Sequence, residues 1–221
     1  MKYFALIFSM VLLIGCHNND AVKEKLIQTK IVDDFNQTLD KKQTKLKEDL
    51  ELYLIQIQSL DADNIISMTY PKLFIPINKD LFREYINILI SSSDIDISSF
   101  NAKIKHIDAV HSFKEGHFAT IQYQSDINLT FLNPELYSDD VSINVLKDLL
   151  HRQYGKENIK INTITRSISI KKMETLLAIQ TNNNQWKFLG DNAEYRRLYP
   201  RILPEDILEK INKKGDKCPK S

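Results

Sequence analysis

Residues 119–131 of this chain alternate. Ala119, Ile121, Tyr123, Ile127, Leu129 and Phe131 are apolar, and Thr120, Gln122, Gln124, Asp126, Asn128 and Thr130 between them are polar. A period of two sends successive side chains to opposite faces of a strand. The segment therefore predicts one long strand with a buried face and a wet face, as in an antiparallel sheet. A sheet of that kind needs a second layer over its apolar side.

The segments before it supply that layer. Val22, Leu26, Ile31, Phe35 and Leu39 recur at spacings of four or five, and Leu46, Leu50, Tyr53, Leu54, Ile57 and Leu60 continue a 3.6-residue stripe. With no Gly or Pro over residues 20–60, the pattern predicts a long N-terminal helix, its charged first part forming a stalk. Pro71 ends any helix in the stretch that starts at Asp61. Asn78 is a good cap for a second helix running to Ile90, with Leu81, Phe82, Tyr85, Ile88 and Leu89 on its inner face.

Around the long strand, Ala102, Ile104 and Val110 suggest a partner strand that turns at Lys114-Glu115-Gly116. Asn133-Pro134 breaks the long strand. Residues 142–154 then predict a helix, with Val145, Leu146, Leu149 and Leu150 on one face and Gly155 as its stop. Two further strands are expected. Ile164, Ile168 and Ile170 mark the first, and Met173, Thr175, Leu177 and Ile179 the second. Asn182-Asn183-Asn184 reads as a turn, Trp186 and Phe188 as a last strand, and Pro204-Glu205 as the start of a final helix burying Ile207, Leu208 and Ile211.

The expected class is α+β: a long N-terminal helix, then helices packed on a curved antiparallel sheet, with one inserted helix. The expected organisation is a leader over 1–15, a stalk over 16–42, one domain over 43–212 and a polar tail over 213–221. The helix at 43–60, Asp61 to Pro71, the helix at 78–90, the strand at 117–131 and the ending Asn184-Gln185-Trp186-Lys187-Phe188 together resemble the NTF2-like (cystatin-like α+β) superfamily. The resemblance is one of architecture, spans about 45–190, and makes the helix at 142–154 an insertion. It implies a cone-shaped cavity, for which Tyr123, Ile121 and Trp186 are the expected lining. Members of that superfamily serve as ligand binders, as dimerisation modules or, less often, as isomerases and dehydratases.

The first sixteen residues have a different logic. Lys2 supplies a positive start, Tyr3 to Ile14 is apolar apart from Ser9, and polar residues follow at His17. This is the layout of a secretory signal peptide, too short for a comfortable membrane span. Leu13-Ile14-Gly15-Cys16 resembles the lipobox of bacterial lipoproteins, in which the cysteine is lipidated and the leader is cut just before it. That resemblance implies a chain in the bacterial cell envelope, anchored at Cys16 with its domain outside the cytoplasm. Each buried methylene is worth about 0.8 kcal/mol, and stable anchoring takes more than one chain, which a diacylated cysteine provides. Cys218 is then left alone in the tail, with no metal or redox motif around it.

Charge and motifs narrow the chemistry. The chain carries 30 basic and 29 acidic residues, and Lys2 is the only charge before Cys16, so the remainder is formally neutral. A neutral domain has no net field to draw in nucleic acid. No Gly-rich phosphate loop, His-Glu-x-x-His or Gly-x-Ser-x-Gly occurs. His106, His111 and His117 fall in or beside one hairpin, but His106 and His111 have opposite parity; His151 lies on the inserted helix. Asp61 and Asp63 sit at a helix end, where capping accounts for them. Arg196 and Arg197, beside Tyr195 and Tyr199, either hold an acidic partner or, as such residues more often do, cover a domain edge with their stems. No inward-facing acid pairs with Tyr123 in this reading, and no cofactor or metal is expected. The reading favours a tethered, non-enzymatic module that binds a small apolar ligand or another envelope protein. The alternative is an isomerase or hydratase using a pocket in the sheet.

Overall fold

A computed structural model of the chain describes residues 35–137, 140–180 and 184–215. The alternating segment is strand β3, Gly116–Phe131, and its odd-numbered side chains from Ala119 to Phe131 are at most 3 % exposed. Strands β1 (Ile95–Ile107) and β2 (His111–Phe113) lie along one edge of β3, and the β2–β3 turn is Lys114–Glu115 as expected. Along the other edge runs β5 (Ser167–Gln180), in unbroken register from His117 opposite Gln180 to Thr130 opposite Ser167. Both β4 (Ile159–Asn162) and β6 (Trp186–Gly190) pair with the far edge of β5. Among the described residues every ladder is antiparallel, and the sheet of six strands does not close on itself.

Helices α1 (Lys41–Ser59), α2 (Ala62–Met68) and α3 (Lys79–Ile90) precede the sheet. The inserted helix is α4 (Asp140–Tyr154), and α5 (Ala193–Arg196), α6 (Tyr199–Ile202) and α7 (Glu205–Gly215) follow β6. The class is α+β, as the order of periodicities predicted.

The helix expected over 20–60 begins instead at Lys41, and residues 35–40 are not helical. The part of that expectation before residue 35 lies outside the described residues. Two local devices make the boundary. Asp40 accepts from the amides of Lys42 and Gln43, while the Gln43 side chain accepts from the Asp40 amide, a reciprocal capping box. Upstream, the Gln37 side chain donates to the Ile107 carbonyl at 2.7 Å and accepts from its amide at 3.0 Å. One side-chain amide thus stands in for a strand partner at the end of β1. At its other end α1 stops on Leu60 at φ 55, a left-handed conformation that costs about 1–2 kcal/mol without glycine. Burying the Leu60 side chain contributes roughly 1.5–3 kcal/mol in return.

Two cores lie on opposite faces of the sheet. The larger joins the inner face to α1 through Leu46, Leu50, Tyr53 and Ile57, to α3 through Phe82 and Ile86, and to α4 through Leu146 and Leu150. The smaller covers one end of the outer face, where Phe118, Leu177, Ile179 and Leu189 meet Tyr199, Ile202 and Ile207. Several expected core positions are on the surface. On α3, Leu81 and Ile88 are more than half exposed, because Phe82 and Ile86 face the sheet. On α4, Val145 and Leu149 are exposed, because the helix is turned toward Leu146, Leu150 and Tyr154.

The strands expected at 164–170 and 173–179 are one strand. The Asn162 side chain accepts from the amides of Ile164 and Thr165, making the β4–β5 turn and leaving Ile164 93 % exposed at its tip. From Ser167 to Gln180 the parity is continuous, so Met173 faces solvent, and Leu177 and Ile179 enter the smaller core. β1 starts at Ile95, earlier than the sequence suggested, and Val110 lies in the link to β2. Gly155 stops α4 as expected. Its φ of 85 suits glycine, and its amide bonds the His151 carbonyl.

Candidate functional site

The continuous parity of β5 has a chemical result. Inward positions run Ile168, Ile170, Lys172, Glu174, Leu176 and Ala178, so two charged side chains enter the buried face. Directly across on β3 stand Tyr123, opposite Glu174, and Ser125, opposite Lys172. The Tyr123 hydroxyl donates to Glu174 Oε2 at 2.8 Å, and the Ser125 hydroxyl donates to Oε1 at 3.0 Å. Lys172 Nζ stands 3.8 Å from Oε1 and 5.5 Å from the centre of the Tyr154 ring. Tyr123 and Ser125 are buried, while the Glu174 and Lys172 side chains keep 11 % and 26 % of their surface.

Burial raises the Glu174 carboxyl above the usual carboxylate value; Lys172 and the bonds from Tyr123 and Ser125 oppose that rise. Burial likewise pushes the Tyr123 phenol well above its ordinary value, reinforced by the Glu174 charge. Tyr123 therefore holds its proton at neutral pH and donates it toward the carboxylate.

These groups are reached through a break in the sheet. β4 pairs with β5 as far as Ile170, and β6 pairs from Leu176 onward. The Asp191 amide adds one bond to the Thr175 carbonyl at 2.9 Å. Among the described residues, no strand pairs with the far edge of β5 at Lys171, Lys172, Met173 and Glu174. A cleft of about 240 Å³ opens beside this notch, with Tyr123, Glu174, Leu176, Asn192 and Tyr195 among its walls. A second of about 320 Å³, bounded by Gln124, Gln153, Tyr154 and Asn158, shares Lys172 and Met173 with it.

The rim on the β6 side is rigidly built. Arg196 grips Asp191 through Nε at 2.7 Å and Nη2 at 2.9 Å, and the Tyr199 hydroxyl donates to Asp191 Oδ1 and to the Gly190 carbonyl. Asn192 caps α5 through the Tyr195 amide. A side chain at Gly190 would place its Cβ 3.0 Å from the Tyr195 ring, so glycine is what lets that ring close over the cleft.

Of the expected pocket residues, Tyr123 lines the cleft. Ile121 and Trp186, at 0 % and 2 % exposure, lie inside the packed core. Cys16, His17 and Cys218 lie outside the described residues. The hairpin histidines go separate ways. His106 faces Asp108 at 3.3 Å, His117 stands between Ser112 and Lys42, and His111 meets Lys210. His151 borders a groove between α4 and β4. Among the described residues no three His, Cys, Asp or Glu side chains converge as metal ligands. Asp61 caps α2, and Asp63 pairs with Arg83. Glu174, Lys172 and Ser125 were missed by sequence reasoning; carrying the parity of Ile168 and Ile170 four residues further would have found the first two.

Among the described residues no helix is long and apolar enough to cross a membrane. No family model, no curated protein and no solved structure matches this chain.

Proposed function

We propose that this chain is a bacterial lipoprotein, exported and held in the cell envelope by lipid on Cys16, whose folded part binds a protein partner at the notch in β5. The lipobox-like run Leu13-Ile14-Gly15-Cys16 behind an apolar leader supports the anchor. The observation that carries the binding role is the largely buried Glu174 carboxylate at the edge of an interrupted sheet, backed by Tyr123 and Ser125. Preformed polar groups in a concave opening are what binding sites present. The inner core is filled by Ile121, Trp186 and Phe188, which favours a partner at the edge over an apolar molecule inside the sheet. The NTF2-like likeness belongs to the same proposal, supported by helices that precede and cover one face of an antiparallel sheet.

An isomerase or hydratase would draw on the same carboxyl, and the raised Glu174 pKa favours that second reading. Against it, Tyr123 and Ser125 both direct their protons at Glu174 instead of the cleft. The anchor is tested by labelling cells with radioactive fatty acid. Cys16→Ser is expected to lose the label and to stay uncleaved, and a labelled variant would refute the anchor. The binding role is tested by a fragment screen that follows the Met173 methyl resonance. Fragments that shift it, and lose that effect in Glu174→Gln, are expected; a screen that leaves Met173 unmoved would refute the site.

A further inference from the structure

The notch has a direction, a length and a charge pattern, and together they describe what fits it. In an antiparallel ladder the amide and carbonyl of one residue point the same way. The Thr175 carbonyl points to the far edge, where it meets Asp191. Met173 and Lys171, two and four residues back, point there as well, and no described strand meets them. Such an edge is a template for another strand. β6 and β4 lie on one line beside β5 and run the same way, so they fix the direction of any segment placed between them. Four paired positions span roughly 13 Å at strand rise.

The other long edge is protected. β1 runs Ile95–Ile107, but its register slips between Ile97 and Ser99 and again between Ile104 and His106, and it carries Lys103 and Lys105. Bulges are a usual means of blunting an edge, and they are what sets β1 apart, since the notch carries lysines of its own at Lys171 and Lys172. The notch in β5 has no such break, because its register with β3 is continuous.

We propose that the notch accepts an extended segment of a partner protein as an added antiparallel strand, with a basic side chain opposite Glu174 and an acidic one opposite Lys172. This rests on the reading of the notch as the binding site. Residues opposite Glu174 and Lys172 share their inward face and are two apart, so the segment reads basic-x-acidic from its N-terminal end. The basic side chain lies beside Glu174 at the cleft of about 240 Å³ that Tyr195 also lines, and the acidic one lies beside Lys172, 5.5 Å from the centre of the Tyr154 ring. Of roughly four acceptor positions on a carboxylate, Tyr123 and Ser125 occupy two on Glu174 and Lys172 approaches a third at 3.8 Å from Oε1, leaving one for an incoming ammonium or guanidinium.

The test uses the full chain and three labelled peptides: Val-Lys-Val-Glu-Val, the charge-reversed Val-Glu-Val-Lys-Val, and the first peptide N-methylated at the residue expected opposite Met173. Fluorescence anisotropy reads affinity, and the Met173 methyl resonance reads location. The first peptide is expected to bind at least about tenfold tighter than either control and to move the Met173 signal. Equal binding of the N-methylated peptide would overturn strand addition, and equal binding of the reversed peptide would overturn the charge pattern. If no peptide moves Met173 while fragments do, the inference falls and the binding site stands. Silence from both removes the site as well. The peptide controls use the native protein, so the test does not depend on any variant folding.

Discussion

Replacing Tyr123 by phenylalanine removes one oxygen from the centre of the site and changes the volume very little. That oxygen donates to Glu174 Oε2 at 2.8 Å from a side chain only 1 % exposed, so water has poor access to take its place. A hydrogen bond to a charged partner contributes about 1.5–3 kcal/mol. The expected loss at neutral pH is therefore about 2 kcal/mol, or a fall of about 4–8 °C in Tm for a chain of this size. The same change made in a Glu174→Gln background meets a neutral acceptor, where a hydrogen bond is worth only about 0.5–1.5 kcal/mol. The double-mutant cycle should then show a coupling of about 1 kcal/mol between the two positions. Urea unfolding followed by circular dichroism measures all four corners. A loss below about 0.5 kcal/mol, or the same loss in both backgrounds, would mean that Tyr123 does not support the Glu174 charge.

Burial raises the Glu174 carboxyl, so the folded state takes up its proton more readily than the unfolded chain. The resulting stability is fully present below the ordinary value of 4.5 and is lost as pH rises through the raised one. The stability of the native chain relative to Glu174→Gln should accordingly fall between that pH and neutrality; urea midpoints showing the opposite slope would contradict the burial argument. Asp40→Ala removes the acceptor for two amides at the start of α1 and should cost about 1 kcal/mol, seen as a lower Tm. Leu50→Ala, at a fully buried position, should cost about 2–5 kcal/mol, while Leu149→Ala on the exposed face of α4 should stay within about 0.5 kcal/mol. Comparable losses for those two leucines would show that α4 is packed the other way round.

Much of the fold could be read from periodicity, because the buried face of β3 and the stripe of α1 are set by side-chain spacing alone. The class, the β2–β3 turn, the caps at Asn78 and Gly155 and the last helix followed from the same logic. What failed did so where tertiary contacts decide. Residues 35–40 carry apolar spacing compatible with a helix, yet Gln37 is engaged at the end of β1, 70 residues away. Leu81, Ile88, Val145 and Leu149 are as apolar as their buried neighbours, and only the seating of each helix on the sheet sorts them. The site was misread for a related reason. Lys172 and Glu174 interrupt the hydrophobic pattern of β5, so the sequence invites division into two strands, with Met173 on the inner side. A charged residue at an inward position does not look inward until its partner is known, and that partner, Tyr123, lies 51 residues away.

From Leu176 to Ile179 every residue of β5 is buried, the even positions in the larger core and the odd ones in the smaller. The four residues belong to both cores at once, so neither core can open without stripping one side of the same strand. Detaching the C-terminal helices would leave Phe118, Leu177, Ile179 and Leu189 covered in part by Tyr70 and Leu73, an apolar surface on an otherwise intact sheet. Amide hydrogen exchange should therefore find its most protected backbone in this short stretch and its paired neighbours on β3 and β6. The open edge a few residues earlier would exchange much faster, a steep gradient of protection along a single continuous strand.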